Sequence, residues 1–121
     1  MELKIEDQWL WAEYDNMTIE SETNKYRLHV TGYHGNADDA LNNLHSRGNF
    51  KSNGRPFSTL DVDNDLSNKG NCAARRLAGW WYARGSSSCL NCVLAHAKWH
   101  TGKTQKLASS SRMLLQCGGG I

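Results

Sequence analysis

Apolar and polar side chains alternate most cleanly between Tyr26 and Thr31, with Tyr26, Leu28 and Val30 on one face and Arg27, His29 and Thr31 on the other. A period of two predicts a strand. Looser alternation from residue 3 to residue 14 (Leu3, Ile5, Trp9, Leu10, Trp11, Tyr14) predicts strand there too, closed by a turn at Asp15-Asn16. After Gly35 the spacing lengthens. Ala37, Ala40, Leu41 and Leu44 form a helical stripe, with Asn36 as cap and Asp38 and Asp39 in the first turn, where carboxylates suit the helix dipole. Residues 45 to 56, HSRGNFKSNGRP, are polar, hold the single proline and predict a loop. The serine runs 86–88 and 109–111 are too brief for linkers, Gly118 to Gly120 predicts a flexible tail, and no internal repeat is visible.

The chain has 121 residues, which limits it to one domain. A chain of this size buries roughly two-thirds of its unfolded surface, enough for a modest core. Fourteen basic against 12 acidic side chains give a net charge of +2, so no field for nucleic acid or anionic membrane is implied. No apolar run approaches the ~20 residues of a membrane-spanning helix. The opening MELKIEDQWLW lacks the basic-then-apolar pattern of a secretory leader. Asn16-Met17-Thr18 is a glycosylation sequon, meaningful only along a secretory route.

Candidate chemistry concentrates between Phe57 and Tyr82, FSTLDVDNDLSNKGNCAARRLAGWWY. Asp61, Asp63 and Asp65 alternate with Val62 and Asn64, and carboxylates two residues apart in a tight loop can converge on the hard cation Ca²⁺. The pattern is not an EF-hand: Leu66 occupies the glycine position and Cys72 the position of the bidentate glutamate. A calcium loop of another design and a solvated acidic turn both fit the residues. Four cysteines, Cys72, Cys89, Cys92 and Cys117, allow three complete pairings. Cys89-x-x-Cys92 with His96 and His100 also offers a tetrahedral zinc set, but the gap from cysteine to histidine is far shorter than a zinc finger uses. Ordinary thiols or disulfide partners beside surface histidines are the plainer account. His29, His34 and His45 have no ligand spacing and read as surface residues. No nucleophile–base pair stands out, so the reading is non-enzymatic.

FSTLDVDND, NCA and GWWY, preceded by WAEYDNMTI and YRLHVTGYHGNADDAL in that order, resemble the rear half of a fibrinogen C-terminal globular domain, the module of fibrinogen chains, ficolins, tachylectins, angiopoietins and tenascins. The likeness is specific from about Trp11 to Asn91 and looser to the SSRMLLQ segment. It implies an α+β fold of short strands and helices with long loops, incomplete at its N-terminal side, over residues 1–117, with residues 118–121 as the glycine-rich tail. It also implies Ca²⁺ held by the carboxylates of Asp63 and Asp65 and the carbonyls of Ser67 and Lys69, with Asp61 orienting the loop. In the lectin members calcium braces the loop, and an acetyl group sits in an aromatic pocket beside it. The matching pocket positions here are Arg75 and Ser86, which lack the aromatic rings that grip an acetyl methyl. Arg75 and Arg76 can instead meet an anionic group such as sialic acid or sulfate. Trp80 and Trp81 read as core.

In the family the NCA cysteine bonds to one shortly after GWWY. That position here is Gly85; Cys89 is nearest to it in sequence and Cys92 next, so a shifted bridge from Cys72 to Cys89 is expected if Cys72 pairs, worth roughly 3 kcal/mol in the chain-entropy model. Cys117 is left for an intermolecular bond or as a free thiol. The function implied is extracellular, secreted recognition of acetylated or acidic glycans and glycoproteins in innate immunity. The alternatives are a non-lectin adhesion or signalling module that binds a protein such as a cell-surface receptor, and a degenerate fragment without activity. Oligomerisation is expected only if a stalk lies upstream.

Overall fold

The computed structural model describes residues 1–42, 50–92, 97–101 and 104–116. Among these the chain is mostly strand with little helix, in keeping with the implied α+β class. Strands β1 (Glu2–Ile5), β2 (Gln8–Ile19) and β3 (Leu28–Gly35) form a meander, and β7 (Ser110–Arg112) returns to its outer side, giving the order β3-β2-β1-β7. A second sheet orders β4 (Ser88–Cys89), β5 (Ala97–Thr101) and β6 (Thr104–Ala108). Among the described residues these strand pairings are antiparallel.

The stretch expected as one strand is a hairpin. Ile5 pairs with Gln8 across Glu6 and Asp7, which both take positive φ (51° and 66°). Two left-handed residues in a two-residue loop match the twist of the flanking strands. Asp15-Asn16, expected to turn, lies inside β2 instead. Pairing of Tyr14 and Asn16 with β3 carries the strand through, and the polar side chains stay exposed. Asp15 accepts a hydrogen bond from His34 Nε2 at 2.7 Å.

The alternating stretch that begins at Tyr26 becomes a strand only from Leu28. Lys25 and Tyr26 are left-handed, with φ of 57° and 56°, and Tyr26 is exposed. The helix expected from Asn36 is absent among the described residues 36–42, which form bends and turns. Asn36 caps a strand rather than a helix, its Oδ1 accepting from Trp11 N at 2.9 Å. The Trp11 carbonyl takes the N–H groups of both Asn36 and Ala37, and Asp38 turns left-handed at φ 69°. Ala37, Ala40 and Leu41 are nevertheless buried, so the stripe is a core signal without being a helical one. Leu44 and residues 45–49 of the expected loop lie outside the described residues, and so do Cys117 and the 118–121 tail.

The core gathers Leu3, Leu28, Val30 and Leu41 around Trp80, Trp81, Tyr82 and Trp99, all at most 6% exposed. Both tryptophans of GWWY are therefore core, as expected. Trp81 packs edge-on to Phe57 at 5.1 Å between ring centroids and donates from Nε1 to the Tyr26 carbonyl. Trp99 donates to the Asp38 carbonyl at 2.8 Å, so β5 is tied to the turn that follows β3. Trp81 and Trp99 thereby bury their rings and satisfy their one side-chain donor.

Candidate functional site

The acidic loop is built by short-range hydrogen bonds. Thr59 and Val62 exchange backbone bonds, and Ser58 pairs with Trp80, which seats the loop on the tryptophan core. Asn64 Nδ2 donates to the Phe57 carbonyl at 2.9 Å, and Arg55 Nη2 donates to the Asn64 carbonyl at 3.2 Å. Asp63 and Asp65 each close a local turn, while Asp61 bonds a neighbouring side chain. Asp61 accepts from Thr59 Oγ1, Asp63 from Asp65 N, and Asp65 Oδ1 from Ser67 N at 2.8 Å. Aspartates are suited to this because a short carboxylate reaches the backbone two residues on.

Asp65 does more than its neighbours. Its Oδ2 accepts the backbone N–H of Cys72 at 2.9 Å, at the first residue of helix α1 (Cys72–Arg76). Burial opposes ionisation of this carboxyl, but the N–H groups of Cys72 and Ser67 outweigh it and hold the group below the ordinary carboxylate value. Asn71 caps α1, accepting from Ala74 N at 3.2 Å, and donates to the Leu60 carbonyl at 3.0 Å, so loop and helix form one unit. The helix was not expected from the sequence, though Asn71 before CAARR is an N-cap signal.

Asp63 and Asp65 thus lie in one loop with Ser67 and Lys69. No group of three or more His, Cys, Asp or Glu side chains gathers for a metal among the described residues. Arg75, on α1, is exposed and donates to Ser67 Oγ at 3.2 Å, bringing it against the acidic loop. Ser86 is not beside it on the surface. It is 5% exposed, bonds the Ser52 hydroxyl at 3.0 Å, donates to the Ser88 carbonyl and accepts from Ser88 N. A hydroxyl so engaged has no lone pair directed at solvent, so the expected ligand role for Ser86 is corrected to a structural one. Four apolar side chains of this unit are open instead: Leu60, Val62, Leu66 and Leu77, at 45–65% exposure. No sequence rule singled them out.

The cysteines correct a second expectation. Cys89 bonds to Cys92, not to Cys72. The pair straddles the Leu90-Asn91 turn with Cα atoms 5.5 Å apart, inside bonding range. Cys72 is fixed at the start of α1, and its buried thiol contacts Arg75 Nη2 at 3.4 Å. Burial and the Asp65 carboxylate push that thiol's pKa up. With Cys89 and Cys92 joined, neither offers a thiolate to zinc. His96 and the side chain of His100 lie outside the described residues, as does His45. His29 and His34 are exposed and paired with Glu20 and Asp15, as surface residues should be.

Residues 1–109 match the family model of the C-terminal globular domain of the fibrinogen beta and gamma chains. The protein belongs to this family. It is 42% identical over 91 residues to human angiopoietin-related protein 6, covering 75% of this chain and 16% of that protein. Human fibroleukin is 41% identical over 91 residues, 74% of this chain and 20% of the relative. Among solved structures, the fibrinogen-like globe domain of human ANGPTL6 superposes with a TM-score of 0.66 at 34% identity, over 90% of this chain and 47% of that one. Lamprey fibrin D-dimer, solved with the peptide ligand Gly-His-Arg-Pro-amide, gives 0.69 at 25% identity, over 99% and 47%. The match therefore spans a fifth or less of these two curated relatives and about half of each of these solved chains. The resemblance read from FSTLDVDND, NCA and GWWY stands, and the relatives named here are of angiopoietin-related and fibroleukin type.

Proposed function

We propose that this fibrinogen-like unit is an extracellular recognition module that binds a protein or peptide partner through the face made by the acidic loop and α1. The observation that carries the reading is that Leu60, Val62, Leu66 and Leu77 of the loop and helix unit are open, as is Arg75 on α1. The fully buried centre of a protein interface is more apolar than the surrounding surface, and arginine is enriched there. The lamprey structure's bound peptide supports a peptide-like ligand for this fold. The glycan reading is the weaker one here, because Ser86 is internally engaged and Arg75 stands at a matching pocket position without an aromatic ring of its own. The Cys89–Cys92 bond and the exposed Asn16 sequon favour an oxidising, secretory compartment. Catalysis has no part in this reading.

Calcium has a place in it. Asp63 and Asp65 supply hard oxygen donors, Asp65 is kept ionised, and the Ser67 and Lys69 carbonyls belong to the same turn. These residues fit a calcium ion that completes its shell with carbonyls and water. Such an ion would brace the loop that carries Leu60 and Val62. The test is a binding screen of the calcium-loaded protein against extracellular proteins, with N-acetylglucosamine as competitor. Binding that resists the sugar and is lost in a Leu60→Asp, Leu77→Asp double variant supports the reading. Glycan-array binding reversed by N-acetylglucosamine overturns it in favour of a lectin.

A further inference from the structure

The sequon Asn16-Met17-Thr18 lies within β2, on residues that the partner-binding reading does not use. β2 keeps one register with β3 from Tyr14↔Tyr33 through Asn16↔Thr31 to Ile19↔Leu28. Side chains therefore alternate regularly, and Tyr14, Asn16 and Thr18 stand on one face of the sheet. That face continues across β3 in Tyr33, Thr31 and His29. Asn16, Thr18, Thr31 and His29 are exposed, and no hydrogen bond engages the Asn16 side chain among the described residues. A free asparagine two residues before a hydroxyl, with Met17 rather than proline between, meets what N-glycosylation asks of an acceptor.

Tyr14 makes the site more than a motif. It is half-buried, its hydroxyl donates to Asp39 Oδ1 at 2.7 Å, and its ring centroid lies 5.7 Å from that of Tyr33. The ring is thus held in place before any sugar arrives, which lowers the cost of a contact. Same-face neighbours on a strand stand roughly 7 Å apart, so a sugar joined to Asn16 comes within reach of Tyr14 and Thr18. The C–H groups on one face of N-acetylglucosamine suit the electron-rich face of an aromatic ring. We propose that Asn16 carries an N-linked glycan whose first N-acetylglucosamine packs on Tyr14, with Thr18 at its other flank. In forming it, Asn16 Nδ2 bonds to C1 of a lipid-diphosphate-linked oligosaccharide. The bond from C1 to the diphosphate breaks, the lipid diphosphate leaves, and Nδ2 gives up one proton. The modification rests on the extracellular reading above, which the Cys89–Cys92 bond supports independently of the sequon.

The first test translates the full 121-residue protein with microsomes behind a cleavable secretory leader, so delivery does not depend on the natural route. The protein is expected to gain the mass of one oligosaccharide, removable by peptide-N-glycosidase. Asn16→Gln and Thr18→Ala should abolish the gain, and the Leu60→Asp, Leu77→Asp variant should keep it. This readout needs no partner, so its failure is distinct from failure of the partner-binding reading. The second test trims the glycoprotein secreted by animal cells to its first sugar with an endoglycosidase. That form should melt about 2–5 °C above Asn16→Gln. Tyr14→Phe should keep this increment and Tyr14→Leu lose it. Where Tyr14→Leu does not fold, NMR contacts between the sugar ring protons and the Tyr14 ring in the native glycoprotein decide the packing. No mass gain, or a gain that survives Asn16→Gln, would overturn the proposal. A single-sugar form that melts with Asn16→Gln and shows no contact to Tyr14 would overturn it equally.

Discussion

The carboxylate of Asp65 accepts the backbone N–H of Cys72 at 2.9 Å, and this bond joins the acidic loop to the first turn of the helix beside it. The same carboxylate closes the turn to Ser67. Removing it in Asp65→Ala orphans two backbone donors, and a partly exposed site should then lose about 1–2 kcal/mol. Because the folded carboxyl sits below its ordinary value, its contribution is present above the unfolded value near ~3.9 and disappears as pH falls through the lower folded value. Urea titrations at neutral pH and near pH 3 should show a gap between native protein and variant that closes in acid.

Calcium should stabilise the native protein and not Asp63→Ala. Extracellular calcium modules bind at roughly 0.1–1 mM, so about 1 mM free ion adds about 0.4–1.4 kcal/mol by mass action. Thermal melts with calcium and with chelator, in both proteins, measure this directly. Equal melting temperatures in all four samples remove the ion from the account.

Gly35→Ala should be among the most damaging small substitutions. Its φ is 144°, where side chains are strained, and a Cβ there would run into the Trp11 carbonyl that already serves Asn36 and Ala37. A loss of about 2–4 kcal/mol is expected from strain and broken backbone bonds together. Gly85→Ala is the control. Its Cβ would meet the Phe50 ring at 3.2 Å, a side chain 42% exposed and able to move, so a loss under about 1 kcal/mol is expected. Equal losses at the two sites would refute the geometric argument.

A peptide map should return Cys89 bonded to Cys92 and Cys72 as a thiol that alkylates only after denaturation. Burial and a raised pKa both slow a thiolate's attack. A Cys72–Cys89 peptide would restore the pairing implied by family position. Cys72→Ser should leave the remaining bond intact.

The family and the tryptophan core were legible because FSTLDVDND and GWWY combine spacing with rare residue types. The local elements were less so. Glu6-Asp7 makes a tight hairpin without the glycine or asparagine that usually announces one. Asn36 has a side chain able to cap either a helix or a strand, and only the distant Trp11 amide decides which. At the site, the aspartates announced themselves by alternation, but Ser86 looked accessible because nothing local reveals Ser52, 34 residues away. Leu60, Val62, Leu66 and Leu77 look like ordinary apolar residues until exposure is known.

Lys98 is 2% exposed on β5, directly across the sheet from Cys89. Burial, reinforced by Arg76, lowers its pKa from the ordinary 10.5 to about 8. Below pH 8 the ammonium is charged in both folded and unfolded states, and only the folded state bears the cost of desolvating it. As pH rises from about 8 towards 10.5 the folded amine loses its proton first, so the contribution of Lys98 to stability rises through that window, against the opposite contribution of the Cys72 thiol, which the native protein and Lys98→Met share. The expected gain is on the order of 1–2 kcal/mol, discounted for partial solvent screening. Lys98→Met keeps the volume and removes the charge, so it should stabilise the fold at pH 7 by a similar amount and flatten the rise. Measurements should stop near pH 10, because Tyr82, pushed up to about 12 chiefly by burial, opposes folding once unfolded tyrosine ionises. Denaturation midpoints at pH 7, 8, 9 and 10 in both proteins decide the matter: parallel profiles would show that Lys98 reaches water in the folded state.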